Sequence, residues 1–318
     1  MKKYSIKNFA GLFLIVFATT LTSCDRNLLE TLPNDRLSEG VFWKTETDAK
    51  LAVNALYTDL DDVNIVSWDA LTDIVHTNQS FNVQAYIELG THDATNSKIY
   101  EEWKKAYVGI RATNYFLENV DKINSANGTL INQFKGEAKV LRAYQYIKLV
   151  GFFGDVPLIT TPISIAEGQS IQRTPVAEVW RFVANELNEA AQLLPKTYAA
   201  TEKGRITQGA ALGLLARAEL YAGNYQKSAE AAEQVITSGV YGLHDSYEKL
   251  FSYAAENSKE VLLDKQFIKD TYSNNIFQEL APYSQKNSNS TFVPTKVIVD
   301  AFETSQGKSI SEAGSGYN

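Results

Sequence analysis

The residue types that could carry catalysis are sparse in this chain of 318 residues. Its three histidines, His76, His92 and His244, show neither an HExxH pattern nor a comparable spacing to carboxylates, which a metal site would require. The sequence also contains no GxSxG elbow, no phosphate-binding P-loop and no GxGxxG motif. We therefore expect no metal ion and no cofactor.

Acidic pairs such as Asp61-Asp62 and Glu101-Glu102 come nearest to a glycosidase signature. A glycoside hydrolase uses two carboxyl groups that flank the scissile bond. Adjacent residues point in different directions, so these pairs favour solvated surface charge. We therefore expect no catalytic residue.

Cys24 is the only cysteine, which excludes a disulfide framework and a zinc site built on cysteine. It follows a basic start (Met1-Lys2-Lys3), an apolar run over 9–21 and the residues Thr22-Ser23. This order is typical of a bacterial signal peptide that ends in a lipobox. The sequence predicts that residues 1–23 are removed and that Cys24 carries lipid, which would anchor the protein to a membrane. A cleaved signal with an incidental cysteine is the alternative.

The chain as a whole has the composition of a globular domain, with 44% hydrophobic and 21% charged residues over its 318 positions. Residues 24–40 are polar and lack periodicity, so we expect a tether there and a folded body over 41–318. The net charge is −7. Nucleic acid is therefore not expected as a partner, because phosphate binding needs clustered lysine and arginine.

Helical periodicity dominates this body, and Thr174-Pro175 supplies an N-cap and a first-turn proline for one of the helices. The predicted helices are 46–60, 98–120, 131–150, 176–194, 207–222 and 225–238. The last two are rich in alanine and joined by a Gly223-Asn224 turn, as in tetratricopeptide-like hairpins. The predicted fold is mainly α, with tetratricopeptide-like helical hairpins forming a superhelix, long loops and minor β structure. One short strand is expected over Glu260–Phe267.

Two long polar stretches, 61–97 and 267–293, interrupt the helical pattern. Their composition suits a saccharide, because an aromatic ring can stack on the C–H groups of a sugar while amides and carboxylates bind its hydroxyls. Trp68 lies outside any apolar stripe and is the candidate stacking platform, with ordinary loop packing as the alternative. The predicted ligand-binding residues are Trp68, Asp69, Asp73, Asn78, Tyr86, His92 and Asn96, followed by Tyr272 and Tyr283.

The stretch 141–158 closely resembles the signature of the SusD/RagB family. It contains Leu141-Arg142-Ala143-Tyr144-Gln145-Tyr146 and then Phe153-Gly154-Asp155-Val156-Pro157-Leu158. Further stretches that match in the same order are 204–217, 238–261 and 294–308, together with Trp103, Tyr107, Ile110 and Asn114. The resemblance covers essentially the whole chain after the signal peptide.

The resemblance implies a lipoprotein of the outer membrane, exposed on the cell surface, that binds oligosaccharides (in some members peptides). Such proteins deliver their ligand to a SusC-like TonB-dependent transporter and are not enzymes. Within the signature, we expect Arg142 and Asp155 to tie the end of a helix to the following turn.

Two other functions remain open from the sequence, a surface glycoside hydrolase and a structural scaffold that binds the transporter but no glycan. Members of the family normally continue beyond the last matching motif. The chain is therefore expected to be incomplete at its C-terminus and to leave an apolar face of the 207–238 hairpin exposed.

Overall fold

The computed structural model describes residues 42–61, 66–80, 82–124 and 127–317. The predicted signal peptide, Cys24 and the tether lie outside the described residues. Residues Thr45–Asn318 form one structural unit. Of the helices described in that unit, none is both long and apolar enough to cross a membrane.

The fold is mainly α-helical, as the sequence predicts. The α-helices are α1 (Glu46–Leu56), α2 (Val66–Asp69), α3 (Val83–Glu88), α4 (Ser97–Asn119), α5 (Gly128–Phe153), α6 (Ile165–Ser170), α7 (Val176–Leu193), α8 (Gln208–Tyr221), α9 (Tyr225–Thr237), α10 (Tyr247–Leu250), α11 (Ile276–Leu280) and α12 (Lys296–Ala301). Two strands, β1 (Val75–Thr77) and β2 (Phe292–Pro294), pair antiparallel with His76 opposite Val293. All six predicted helices are present, with ends that differ by a few residues.

Side-chain caps fix where several of these helices begin. Asn96 caps α4, because its Oδ1 accepts the backbone N–H groups of Lys98 (3.0 Å) and Ile99 (3.4 Å). Thr207 caps α8 in the same way, through a 3.1 Å bond from the N–H of Ala210 to its hydroxyl. These bonds satisfy donors that have no partner within the helix itself.

The long helices pack in chain order, α4 on α5, α5 on α7, α7 on α8 and α8 on α9. Helix α5 is central and buried on most of its circumference, which suits an apolar sequence flanked by helices on several sides. The approach of the end of α7 to α5 is close enough to require glycine at position 136. A Cβ there would lie 2.9 Å from Cγ of Leu194.

Helix α5 also carries buried polar side chains that hold neighbouring segments in place. Glu137 accepts hydrogen bonds from Tyr57 (2.7 Å) and Arg205 (2.8 Å). Gln145 donates to the carbonyl of Asp59 at 2.8 Å. Buried polar groups are tolerated when they are hydrogen-bonded, and here each bond joins α5 to another part of the chain.

Arg142 and Asp155, which were expected to tie the end of this helix to the following turn, have separate partners. Nη1 of Arg142 donates to the carbonyl of Thr160, just beyond the turn, at 3.0 Å. The guanidinium of Arg142 donates to the carboxylate of Glu186 on α7 at 2.9 and 2.6 Å. The Oδ1 of Asp155 accepts the N–H of Val176 at 2.8 Å and thereby caps α7. The N-cap position is occupied by Pro175 and not, as the sequence predicted, by Thr174, whose backbone pairs with Val156. A buried arginine is stabilised most by a buried carboxylate, whereas a carboxylate next to a helix start is favoured by the free N–H groups there.

The strand expected over Glu260–Phe267 is also wrong, since that stretch has no regular structure. A strand needs a partner for its backbone ladder. The one sheet in the described part of the chain is the β1–β2 pair. Residues 261–263 instead line two clefts.

Candidate functional site

A polar cleft of about 550 Å³ lies where the two predicted loop stretches meet. Helix α2, helix α3 and the first turns of α4 form one side, and α11 with the segment leading into β2 forms the other. The described residues that line it are Val66, Ser67, Gln79, Asn82, Val83, Gln84, Ser97, Lys98, Glu101, Glu102, Lys105, Asn275, Ile276, Glu279, Asn289, Thr291 and Phe292. We call it the loop cleft.

Backbone pairing joins the two sides of the loop cleft. The ladder between β1 and β2 is extended by a 2.8 Å hydrogen bond from the N–H of Asn78 to the carbonyl of Thr291. These long-range bonds bring residues near 80 and near 290 together, although they are distant in sequence.

Two of the described residues that line the loop cleft, Gln84 and Glu102, each have a buried oxygen without a hydrogen-bond donor, and the neutral one is Gln84. It lies on α3 with 7% of its surface exposed, and its buried Oε1 accepts no hydrogen bond from the described residues. A buried amide oxygen without a partner costs about 1 to 3 kcal/mol. Because Oε1 is itself buried, a ligand hydroxyl would supply the missing donor once the Gln84 side chain turns this oxygen toward the cleft.

The floor of the loop cleft is organised around Glu102 on α4. One oxygen of Glu102 accepts from Nζ of Lys98 at 2.8 Å and from Nε1 of Trp68 at 3.1 Å, and Nζ of Lys148 lies 3.3 Å from the other oxygen. Burial alone would raise the pKa of this carboxyl, but the lysines and the indole donor outweigh burial and lower it. Lys148 also contacts Asp61 at 2.7 Å, so the floor is fixed to α5.

Glu279 organises the opposite side. Its carboxylate accepts hydrogen bonds from the hydroxyl of Thr291 at 2.6 Å and from the amides of Asn289 (3.2 Å) and Asn275 (3.3 Å). Amide and hydroxyl groups are therefore held in place along this side. With Gln84 and Asn82 opposite, they make a site suited to a ligand rich in hydroxyl groups.

The loop cleft is lined by none of the nine residues predicted to bind ligand. Trp68 is half-buried on α2, and its ring meets Phe152 edge to face with centroids 4.7 Å apart. Nζ of Lys148 and Nζ of Lys98 lie 4.9 and 5.7 Å from the ring centroid. The sequence left packing as the alternative for Trp68, and these contacts are of that kind. Stacking of Trp68 on a sugar stays a prediction.

The remaining predicted residues are spread over several places. Asn78 is exposed at the edge of β1, and Asn96 is the N-cap of α4. Asp69, Asp73, Tyr86 and His92 are exposed. Tyr272 lines a separate cleft of about 700 Å³, where its ring is stacked on Phe267, and Tyr283 is exposed.

The loop cleft lies within the two stretches that the sequence singled out, but its lining residues are different ones. Gln79 directly follows the predicted Asn78, and Ser97 directly follows the predicted Asn96. Adjacent side chains point in different directions, so only the bounds of α3, α4 and β1 decide which residue of such a pair faces the cleft. Gln84 could have been found from the sequence only by noting a polar residue on the buried face of a short helix. Helix α3 places this amide in a buried position.

Known proteins similar to this chain share one description. Residues 29–220 match the family model described as "SusD-like, starch-binding associating with outer membrane". Two SusD-like proteins of Formosa agariphila are 25% and 29% identical to the chain, over 81% and 75% of its length. Those matches cover 52% and 47% of the relatives, so the chain spans about half the length of the curated relatives it matches.

Solved structures give the same result for the fold. A SusD-like protein from Bacteroides fragilis superposes with a TM-score of 0.79 at 26% identity, covering 88% of this chain and 57% of that one. A laminarin-binding SusD-like protein superposes with a TM-score of 0.63 at 27% identity, covering 69% of this chain and 51% of that one.

Proposed function

The chain belongs to the SusD-like family, and from this premise we propose that it binds an oligosaccharide in the loop cleft and passes it to a SusC-like TonB-dependent transporter. Gln84 carries the proposal, because its buried amide oxygen lacks a donor in a cleft where amides, hydroxyls and charged groups alternate with apolar side chains. The apolar lining residues are Val66, Val83, Ile276 and Phe292. A sugar hydroxyl is a donor of the right kind. The similarity to a laminarin-binding protein supports a glycan as the ligand.

The proposed role is binding without catalysis. A glycosidase needs one carboxyl group whose pKa is raised, so that it can donate a proton to the leaving oxygen. The pKa of Glu102 in the loop cleft is instead lowered by its lysine partners. Glu279 is engaged by three hydrogen-bond donors from the protein. Glu102 and Glu279 are therefore suited to organising the site.

The proposed location is the outer membrane, with lipid on Cys24 and the folded body exposed on the cell surface. The matching family is described as associating with the outer membrane, and this description supports the proposed location. Radiolabelled palmitate should be incorporated into the wild-type chain in a bacterium that processes lipoproteins, and not into Cys24→Ser. Labelling of the variant would contradict the anchor.

Binding is tested with the purified chain against a panel of neutral glycans, including laminarin and starch oligosaccharides, by affinity electrophoresis and calorimetry. We expect saturable binding of at least one neutral oligosaccharide, with no shortening of the glycan after prolonged incubation. Product release would favour the hydrolase alternative. A folded chain that binds the transporter but no glycan would favour the scaffold alternative.

A further inference from the structure

We propose that a second pocket, beside the start of α8, binds the oxyanion group of an acidic saccharide, either a carboxylate or a sulfate ester. This goes beyond the proposed function, because the pocket shares no lining residue with the loop cleft. We call it the lysine pocket.

The lysine pocket is small and is formed by three segments, at 196–198, 203–207 and 257–264, together with residues 240–241. Its volume is about 220 Å³. One water molecule occupies about 30 Å³ of liquid, so the pocket has room for roughly seven waters or a single sugar ring. A site of this size recognises one terminal or branching sugar unit and does not select for the length of the saccharide.

Charge is the feature that identifies the ligand class. Lys196, Lys203 and Lys259 line the pocket, are exposed, and form no ion pair within the described part of the chain. The acidic lining residue is Asp264, and burial raises the pKa of its carboxyl. The protein as a whole has a net charge of −7, so this local excess of positive charge runs against its average.

A fourth cation, Arg205, does not add to this excess. Its guanidinium contacts Glu137 at 2.8 Å and also pairs with Glu202. Arg205 is thereby committed to the protein interior, and the three lysines remain as the groups that can meet a ligand.

Hydroxyl groups complete the recognition. Ser258 Oγ is buried and has no hydrogen-bond partner among the described residues. Thr207 Oγ1 lies 2.6 Å from the hydroxyl of Tyr241 at the same pocket. A hydroxyl donates readily to an anionic oxygen, and hydrogen bonds to charged acceptors are stronger than those to neutral ones. Rotation of the Ser258 side chain toward the pocket that it lines would therefore offer a donor that the protein itself leaves unused.

Calorimetry at low ionic strength tests the proposal with three probes, trigalacturonate for the carboxylate, glucose 6-sulfate for the sulfate ester and maltotriose as the neutral comparison. Three variants are compared with the wild type. The first replaces Lys196, Lys203 and Lys259 by glutamine, and the second replaces them by arginine. The control replaces Lys249, Lys269 and Lys286, which are exposed elsewhere, by glutamine.

We expect one or both acidic probes to bind the wild type more tightly than maltotriose does. The glutamine variant should lose about tenfold in affinity for them, while the arginine and control variants keep it, because three exposed charge contacts contribute a few tenths to 1 kcal/mol each. Raising the salt to about 0.5 M should weaken the binding, because the screening length then falls well below 10 Å.

Three results would overturn the proposal. One is equal affinity for acidic and neutral probes. Another is an equal loss in the pocket variant and the control, which would indicate non-specific attraction. The third is loss of acidic-probe binding in Gln84→Leu, which would place the acidic ligand in the loop cleft. Failure of neutral glycans to bind the loop cleft would leave the lysine pocket unaffected, so the two proposals are tested separately.

Discussion

Replacing Arg142 by methionine should strongly destabilise the fold, although the side chain at this position keeps nearly the same volume. The substitution removes four hydrogen bonds, two to Glu186 and one each to Asn114 Oδ1 (2.8 Å) and the carbonyl of Thr160 (3.0 Å). Breaking a buried ion pair by removing one partner costs about 3 to 5 kcal/mol. Lys139 Nζ still lies 2.9 Å from Glu186, so we expect a loss near the lower end, about 3 kcal/mol.

The assay is equilibrium unfolding in guanidinium chloride, followed by circular dichroism. The matched control is Arg181→Met, which removes an exposed arginine on the neighbouring helix α7 and should change the free energy of unfolding by less than about 0.5 kcal/mol. The double variant with Glu186→Leu should recover part of the loss, because it leaves no buried charge without its partner. A loss below about 1 kcal/mol for Arg142→Met, or simple additivity in the double variant, would refute the assignment of this pair as a main tie between α5 and α7.

Three further changes have defined outcomes. Asn96→Ala removes the N-cap of α4 and should lower the free energy of unfolding by about 1 kcal/mol, measured by the same denaturant titration; no change would contradict the cap. Burial raises the pKa of the Asp264 carboxyl above 3.8 in the folded protein. As the pH rises, the unfolded chain therefore loses the carboxyl proton before the folded chain does, and the contribution of Asp264 to stability falls. Stability measured from pH 4 to pH 7 should therefore fall less for Asp264→Asn than for the wild type, and parallel profiles would refute this. Phe251 and Tyr253 are 75% and 89% exposed, so replacing both by serine should reduce binding of a hydrophobic dye without moving the unfolding midpoint; a shifted midpoint would show that they pack.

The helical part of the fold was predictable because its signal is local. Apolar residues at helical spacing marked α4, α5 and α7, and the Gly223-Asn224 turn marked the α8–α9 hairpin. Alanines such as Ala210 and Ala231 are buried in that hairpin, in agreement with close packing of its helices.

Pairings between distant residues were not predictable in the same way. Arg142 was expected to act at the turn after its helix, and it does reach the carbonyl of Thr160, but its carboxylate partner is Glu186 on another helix. The partner is decided by packing of α5 on α7, which periodicity does not specify. The stretch at 260–267 has the composition of a strand, but strand formation depends on a neighbouring strand that the local sequence cannot reveal.

The lining of the loop cleft was not predictable for the same reason, because it also depends on pairings between residues that are distant in sequence. The loop composition singled out the stretches that form the loop cleft, whereas the residues that line it depend on the β1–β2 pairing and on the short helices within the loops. Trp68 was singled out because it stands among polar residues in the sequence. In the structure its indole N–H donates to Glu102 and two lysines lie over its ring, contacts that its sequence neighbours do not reveal.

The most direct test of glycan binding in the loop cleft is the affinity of Gln84→Leu for the neutral oligosaccharide identified from the panel. Gln145→Leu is the matched control, because Gln145 is also a buried glutamine with an unpartnered Oε1, but it lies on α5 away from the cleft lining. We predict about tenfold weaker binding for Gln84→Leu, which corresponds to one hydrogen bond of about 1.4 kcal/mol, and wild-type affinity for a folded Gln145→Leu. Unchanged affinity in a folded Gln84→Leu would contradict the placement of the ligand in this cleft.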